Sequence, residues 1–231
     1  MKKYIPNSIT LLNLFSGCIA VLYAIGGDMK YTALFVCAGI FFDFFDGLVA
    51  RKLKVQSELG LQLDSLADMV TSGLVPGLVL YYLLGLTPQF SWDPFRLLPY
   101  FGLLVTLASA YRLAKFNISN NQSDYFIGLP TPANTICIIA LPLILEDQSN
   151  DTIHALILNP WVLIMMTLIS CYLLNAPIKL IALKFKNWSF KDNMFRYLLI
   201  VSALVFLLFF QFSGIPLSII GYVVLSVISN K

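Results

Sequence analysis

The sequence predicts an all-α integral membrane protein, a polytopic helical bundle of about eight transmembrane helices, and three observations carry that reading. Hydrophobic residues make up 58% of the 231 and charged residues only 12%, where soluble domains carry roughly a quarter charged. Apolar stretches long enough to cross a bilayer recur along the chain, separated by short polar turns. All but Lys30 and Arg96 of the 15 lysines and arginines fall on one side when the stretches are threaded up and down, which is the bias of cytoplasmic loops. Both termini are then expected in the cytoplasm, in a membrane of the bacterial inner-membrane type. A net charge of +3 is too small to imply a nucleic-acid partner.

Lys2 and Lys3 lead into an apolar segment, roughly Ile9 to Ile25, that could serve as a secretory signal. Phe15-Ser16-Gly17-Cys18 even imitates a lipoprotein cleavage site. The chain beyond it is more membrane and not a soluble domain, so the segment is expected to stay as the first span, entered through Pro6-Asn7-Ser8. Helix two is expected over about Tyr31 to Arg51, and its basic end continues into Lys52 and Lys54. Helix three runs from about Gly60 to Leu86 with a kink at Pro76-Gly77, and leads to the loop Thr87–Pro94 with Trp92 as an interfacial anchor.

Helix four, about Phe95 to Phe116, ends in Arg112 and Lys115, and a long loop Asn117–Gly128 separates it from the next span. Helix five spans roughly Thr131 to Leu145, and Glu146–Asn159 reads as a polar loop. Helix six, Pro160 to about Leu183, gives way to a basic run at Lys184, Lys186 and Lys191. Phe195–Phe212 and Ile215–Ile228 read as a closing helical hairpin turned at Ser213-Gly214. The cysteines Cys18, Cys37, Cys137 and Cys171 stand singly in apolar runs without a CxxC pair, and read as small core hydrophobes and not as disulfides or zinc ligands.

One stretch breaks the apolar pattern. Asp43, Asp46, Asp64 and Asp68 lie inside helices two and three, where a charged side chain costs several kcal/mol unless it faces protein, metal or water. Asp43 and Asp46 are three residues apart and Asp64 and Asp68 four, so each pair shares a helix face. Asp46 sits five residues inside Arg51, roughly 7–8 Å along the axis, and Asp64 and Asp68 lie at matching depths on the way back. Four carboxylates together repel unless neutralised, and one or two divalent cations held by oxygen do so economically. Mg²⁺ or Mn²⁺ suits such a set better than zinc, and His154, the only histidine, falls in an outside loop. Gly47, Ala50 and Gly60 lie on the acidic faces and clear room for a flat base and a pyrophosphate, with Arg51 as a phosphate clamp at the rim. Small-residue packing between helices and positive-inside placement are the plainer explanations of the same residues.

The pattern Asp46-Gly47-x2-Ala50-Arg51-x8-Gly60-x3-Asp64-x3-Asp68 resembles the signature of the CDP-alcohol phosphotransferase family at every defining position, with Asp43 at the additional upstream acidic position. The resemblance implies a homodimeric membrane enzyme with a six-helix catalytic core, here residues 1–192, extended by a C-terminal two-helix hairpin, residues 193–231. It implies transfer of a phosphatidyl or similar group from a CDP-linked donor to an alcohol with release of CMP, at a two-metal site formed by these aspartates. Asp43, Asp46 and Asp64 would be the principal metal ligands, Asp68 would complete the site and act as general base, and Gly47, Ala50, Arg51 and Gly60 would hold the CDP moiety.

Residues outside the signature resemble the serine-accepting members of the family. These are Pro6-Asn7 with Thr10 and Asn13-Leu14-Phe15-Ser16-Gly17, the run Asp64-Ser65-Leu66-Ala67-Asp68-Met69-Val70 with Gly73 and Pro76, and Phe126-Ile127-Gly128-Leu129-Pro130-Thr131-Pro132-Ala133. The expected substrates are CDP-diacylglycerol and L-serine. Arg112-Leu113-Ala114-Lys115-Phe116-Asn117 is similar to a segment of those members that more usually has arginine at position 115; the charge survives but the bidentate fork does not. Arg112 and Lys115 are candidates for the acceptor carboxylate or a phosphate oxygen. Other members that take glycerol 3-phosphate or inositol phosphate are the rival within the family. An intramembrane cation transporter is the rival outside it, although transport would spread acids along a path through the membrane.

Overall fold

A computed structural model describes residues 4–87, 97–118, 125–148, 150–181 and 190–229. The expected anchor Trp92, the cation Arg96 and the basic positions Lys184 and Lys186 lie outside them. Helix α1 (Tyr4–Gly26) turns through Gly27, whose φ is +79°, into α2 (Met29–Leu53). Asp28 caps α2 by accepting from the Tyr31 N–H, and Lys54 closes it in the left-handed region, at φ 55°. Ser57 then caps α3 (Glu58–Asp68) through the Gly60 N–H.

The third apolar stretch is not a straight helix kinked at Pro76. A π-helical segment, Met69–Leu74, joins α3 to α4 (Val75–Gly85), and the Val75 N–H reaches Val70 O instead of the α-helical partner. Proline supplies no N–H, so carbonyls a turn earlier need other donors. Thr135 Oγ1 donates to Ser72 O at 2.8 Å and Thr106 Oγ1 to Gly73 O at 3.1 Å.

Residues Leu98–Leu103 form a 3₁₀ turn leading into α5 (Leu104–Ile118), and the expected polar loop before residue 160 contains a short helix. The order continues with β1 (Tyr125–Ile127), α6 (Thr131–Asp147), α7 (Asp151–Ile157), α8 (Pro160–Asn175) and β2 (Lys179–Ile181). Helix six therefore stops at Asn175 and not near Leu183. The chain leaves it to pair β2 antiparallel with β1, Phe126 opposite Leu180, a ladder that the sequence reading missed.

The closing pair is α9 (Phe190–Phe210) and α10 (Gly214–Ser229). The chain reverses at Gln211, where φ is 48°, and a Cβ on Gly221 would lie 3.8 Å from the Phe206 ring. These two elements form the expected hairpin.

Helix α4 is the axis of the apolar core: Val75, Val79, Leu80, Leu83 and Leu84 are wholly buried there, against Val36 of α2, Val105 of α5 and Ile138 of α6. Elsewhere the bundle is inside out relative to a soluble protein. Helix α1 buries Pro6, Thr10, Asn13, Gly17, Ala20 and Ala24 and exposes Leu11, Leu12, Phe15 and Leu22, the small-residue interface expected between helices in lipid. All four cysteines are free, but Cys18 and Cys37 are on the exposed surface and not in the core, because lipid rewards an apolar thiol as well as the interior does.

Among the described residues, four helical stretches are long and apolar enough to cross a membrane, Tyr4–Gly26, Met29–Leu53, Glu58–Gly85 and Asn193–Ser229, the last being the one that folds back at Gln211. The bent pair α7 and α8, at 56°, makes a fifth if counted as one span. At 15 to 17 residues, α5, α6, α8 and α10 are shorter than those stretches, and the fold is a polytopic helical bundle. At one end Lys30 of α2 pairs with Glu146 of α6 at 3.1 Å; Asp43, Asp46, Asp64 and Asp68 lie toward the other.

Candidate active site

At that other end, the start of α1, the end of α2, the start of α3, the end of α5 and the start of α6 surround two adjoining cavities. The smaller, about 170 Å³, is lined by Asn7, Thr10, Asp46, Gly47, Ala50, Arg51, Gly60 and Asp64. The larger, about 460 Å³, is lined by all four aspartates together with Arg51, Ser65, Arg112, Asn117 and the Pro130–Pro132 turn. The link from Lys54 to Ser57 is so short that α3 starts where α2 ends, and α3 then packs chiefly on α1, so that the acidic faces of α2 and α3 meet across the cavity.

The four carboxylates do not form one cluster. Asp43, Asp64 and Asp68 each place an oxygen within 4.8 Å of the others. Asp46, one turn further along α2, is buried and held from α1, where Thr10 Oγ1 donates to its Oδ2 at 2.5 Å. Asp68 is also held from α1, since Asn13 Nδ2 donates to its Oδ1 at 3.2 Å. Asp64 Oδ1 is buried with no hydrogen-bond partner among the described residues. A buried carboxylate oxygen without a donor, facing two more carboxylates, fits a bound cation. Oxygen-only donors suit Mg²⁺ or Mn²⁺, and no histidine or cysteine takes part in this cluster.

The small residues of the signature keep the first cavity open. A Cβ on Gly47 would meet nothing nearer than the Arg51 guanidinium, at 3.8 Å, so a larger side chain there would grow toward the arginine. A Cβ on Gly60 would lie 3.2 Å from Ser57 Oγ and 3.3 Å from Asn7 Oδ1, on the opposite wall. Gly47, Ala50, Arg51 and Gly60 are thus brought together as expected.

The remaining candidates separate. Arg112 lines the larger cavity, but its Nη1 donates to Ile127 O and Leu174 O, both at 2.9 Å, clamping the end of β1 to the end of α8. Gly128 makes that clamp possible: its φ is +71°, and a Cβ there would lie 2.6 Å from Leu174 O. Lys115 is exposed and lines neither cavity. Sequence reasoning gave no role to Thr10, Asn13 or Thr71, nor to the mutually hydrogen-bonded pair Ser65 and Asn117 (2.9 Å) on the cavity wall. A stripe of small and polar residues at Thr10, Asn13 and Gly17 on a helix otherwise rich in leucine was the available signal.

The site is a carboxylate centre beside a glycine-walled cavity with an arginine rim, set in a bundle whose helices are long and apolar enough to cross a membrane. The chain belongs to the CDP-alcohol phosphatidyltransferase family, whose model matches residues 3–228. It is 36% identical over 143 residues to the CDP-diacylglycerol–serine O-phosphatidyltransferase of Bacillus subtilis, covering 60% of this chain and 75% of that one. Enzymes of the same name from Helicobacter pylori strain J99 (34%, 60% of this chain and 57% of that one) and Methanocaldococcus jannaschii (30%, 67% and 68%) are also similar. Against the Helicobacter relative, then, the match spans little more than half of its length.

Proposed function

We propose that this protein transfers the phosphatidyl group of CDP-diacylglycerol to the hydroxyl of L-serine, releasing CMP. The carrying observation is the convergence of Asp43, Asp64 and Asp68 beside the cavity walled by Gly47, Ala50, Arg51 and Gly60. The choice of serine rests on the names of the relatives.

The CDP moiety would enter the smaller cavity, where the absence of side chains at Gly47 and Gly60 admits a flat base and Arg51 receives phosphate oxygens. The serine hydroxyl would lie in the larger cavity, against Asp68. Its oxygen forms the new bond to the lipid-bearing phosphorus, its proton passes to the Asp68 carboxylate, and the bond from that phosphorus to the CMP oxygen breaks. Asn13 holds Asp68 Oδ1, which leaves Oδ2 for the proton. A divalent cation, Mg²⁺ or Mn²⁺, would be held by Asp43, Asp64 and Asp68, with Asp46 the carboxylate available to a second ion, and when bound would offset the charge of the diphosphate and of departing CMP. Arg112 contributes at most its Nε–H and Nη2 edge to the acceptor, because Nη1 is committed to two carbonyls. Lys115 would act only as a rim cation. The cavities open at the end that the basic residues assign to the cytoplasm, where a soluble amino acid and a leaflet-bound nucleotide lipid meet. A catalytic core at 1–192 with an accessory hairpin at 193–231, and a homodimer as the family resemblance implies, complete this reading; the mass of the detergent-solubilised protein reports the dimer.

The test is product identification after incubation with CDP-diacylglycerol, labelled serine and Mg²⁺ or Mn²⁺. Labelled phosphatidylserine with stoichiometric CMP is expected. CMP release with glycerol 3-phosphate but not with serine would replace serine by the rival acceptor.

A further inference from the structure

We propose that Thr71 is a positioning residue for this reaction, acting through Asn13: its hydroxyl anchors the Asn13 side-chain amide so that the NH₂ end is presented to Asp68. The proposal rests on the reading of Asp68 as the carboxylate that takes the serine proton.

Thr71 is wholly buried in the π-helical segment that begins immediately after Asp68. Its Oγ1 lies 2.8 Å from Asn13 Oδ1 and 3.3 Å from Asn13 O. A hydroxyl has one proton to give, and the shorter contact takes it. Asn13 Oδ1 is thereby fixed as an acceptor, and its Nδ2 donates to Asp68 Oδ1. The reversed amide would set its oxygen against a carboxylate oxygen, acceptor against acceptor, in a buried site. The three groups form a directed chain from Thr71 through Asn13 to Asp68.

Two glycines show that space is shaped around this chain. A Cβ on Gly39 of α2 would lie 2.6 Å from Thr71 Cγ2 and 2.9 Å from Asn13 Oδ1. A Cβ on Gly17 of α1 would collide with Thr71 Oγ1 and lie 3.1 Å from the Thr71 backbone nitrogen. Both neighbouring helices thus forgo a side chain at this level. The π segment adds the wide turn that carries residue 71 toward α1, and such turns recur at functional sites.

The proposal is tested on the full-length protein in detergent with Thr71→Val, Thr71→Ser, Asn13→Ala and the Thr71→Val/Asn13→Ala double variant. Two quantities are read: Mn²⁺ affinity by paramagnetic resonance without substrates, and kcat and KM for serine-dependent CMP release. Outer partners of metal-site ligands are typically worth on the order of 10–100-fold. Thr71→Val is expected to weaken Mn²⁺ binding and lower kcat by that order with KM for both substrates unchanged, Thr71→Ser to restore both, and the double variant to be no worse than Asn13→Ala alone. Should Thr71→Val not fold, Thr71→Ala removes the hydroxyl without bulk and reads the same quantities. Wild-type Mn²⁺ affinity and kcat in Thr71→Val or Thr71→Ala, no restoration by serine, or additive losses in the double variant would each overturn the chain. A wild-type protein that binds Mn²⁺ but makes no phosphatidylserine would sink the serine reading and leave this proposal to the Mn²⁺ affinities; product formed at full rate by Thr71→Val would sink this proposal alone.

Discussion

The first two helices and the last two are both apolar hairpins, yet they are held by opposite means. Helix α1 turns Thr10, Asn13, Ser16 and Gly17 inward, and the first two each hold an aspartate of another helix. The α9–α10 hairpin exposes Leu204, Leu208, Phe209 and Ile220 and is pinned to the bundle by two bonds at one residue of β2: Tyr222 OH donates to Ile181 O at 3.0 Å, and Ser226 Oγ accepts from the Ile181 N–H at 3.2 Å. Lipid is as apolar as leucine, so apolar contact alone does not draw membrane helices together. Where a carboxylate must be aimed, small and polar residues do the holding. In the closing hairpin, packing of α10 on α6 and the anchors at Ile181 do the holding among the described residues.

The largest effect is expected at the carboxylates that α1 holds. Asp68→Asn keeps the shape and the bond to Asn13 but cannot take a proton, so serine-dependent CMP release should fall by about 10²–10⁴-fold, measured against wild type at saturating metal. A rate near wild type would remove the base assignment and with it the contrast between the two hairpins.

An intermediate effect is expected at Arg112, which lies in neither hairpin and clamps the end of β1 to the end of α8. Arg112→Met leaves Ile127 O and Leu174 O without a charged donor, a loss of about 1.5–3 kcal/mol per bond to a charged group. Thermal unfolding in detergent should show the lower midpoint, and activity should fall as the Pro130–Pro132 wall loosens. An unchanged midpoint with a raised KM for serine would instead make Arg112 a substrate ligand.

The smallest effect is expected in the hairpin. Tyr222→Phe deletes one bond, worth about 1 kcal/mol, and CMP release should remain at the wild-type rate while the midpoint drops slightly. A large loss of turnover would show that the hairpin supports catalysis as directly as α1 does.

Local spacing made much of the site legible. Three-residue and four-residue separations put Asp43 on a face with Asp46 and Asp64 on a face with Asp68 wherever those helices lie, and the short link at Lys54–Ser57 keeps the two faces at one end of the bundle, while packing of α3 on α1 turns them toward one another. Gly47, Ala50, Arg51 and Gly60 follow from the same periodicity, and the structure finds them around one cavity. Arg112 lies on the expected helix, but its bonds to Ile127 O and Leu174 O were not legible, because two backbone carbonyls from distant segments are invisible to pattern reading. The β1–β2 ladder was missed for a related reason: strands of three residues carry too few positions to show a period, and their pairing joins segments more than fifty residues apart.

By itself, then, the sequence determined an all-α membrane chain with a carboxylate-rich, glycine-walled site at one end, since those properties rest on hydropathy, charge placement and helical periodicity. Only the tertiary structure decided that Asp43, Asp64 and Asp68 converge while Asp46 is drawn to Thr10, and that Asn13 stands between Thr71 and Asp68. Those choices depend on how α1 is rotated about its own axis and where the π turn before Pro76 shifts the register of the third span. Both are fixed by close packing at Gly17 and Gly39 between helices and not by any spacing along one of them.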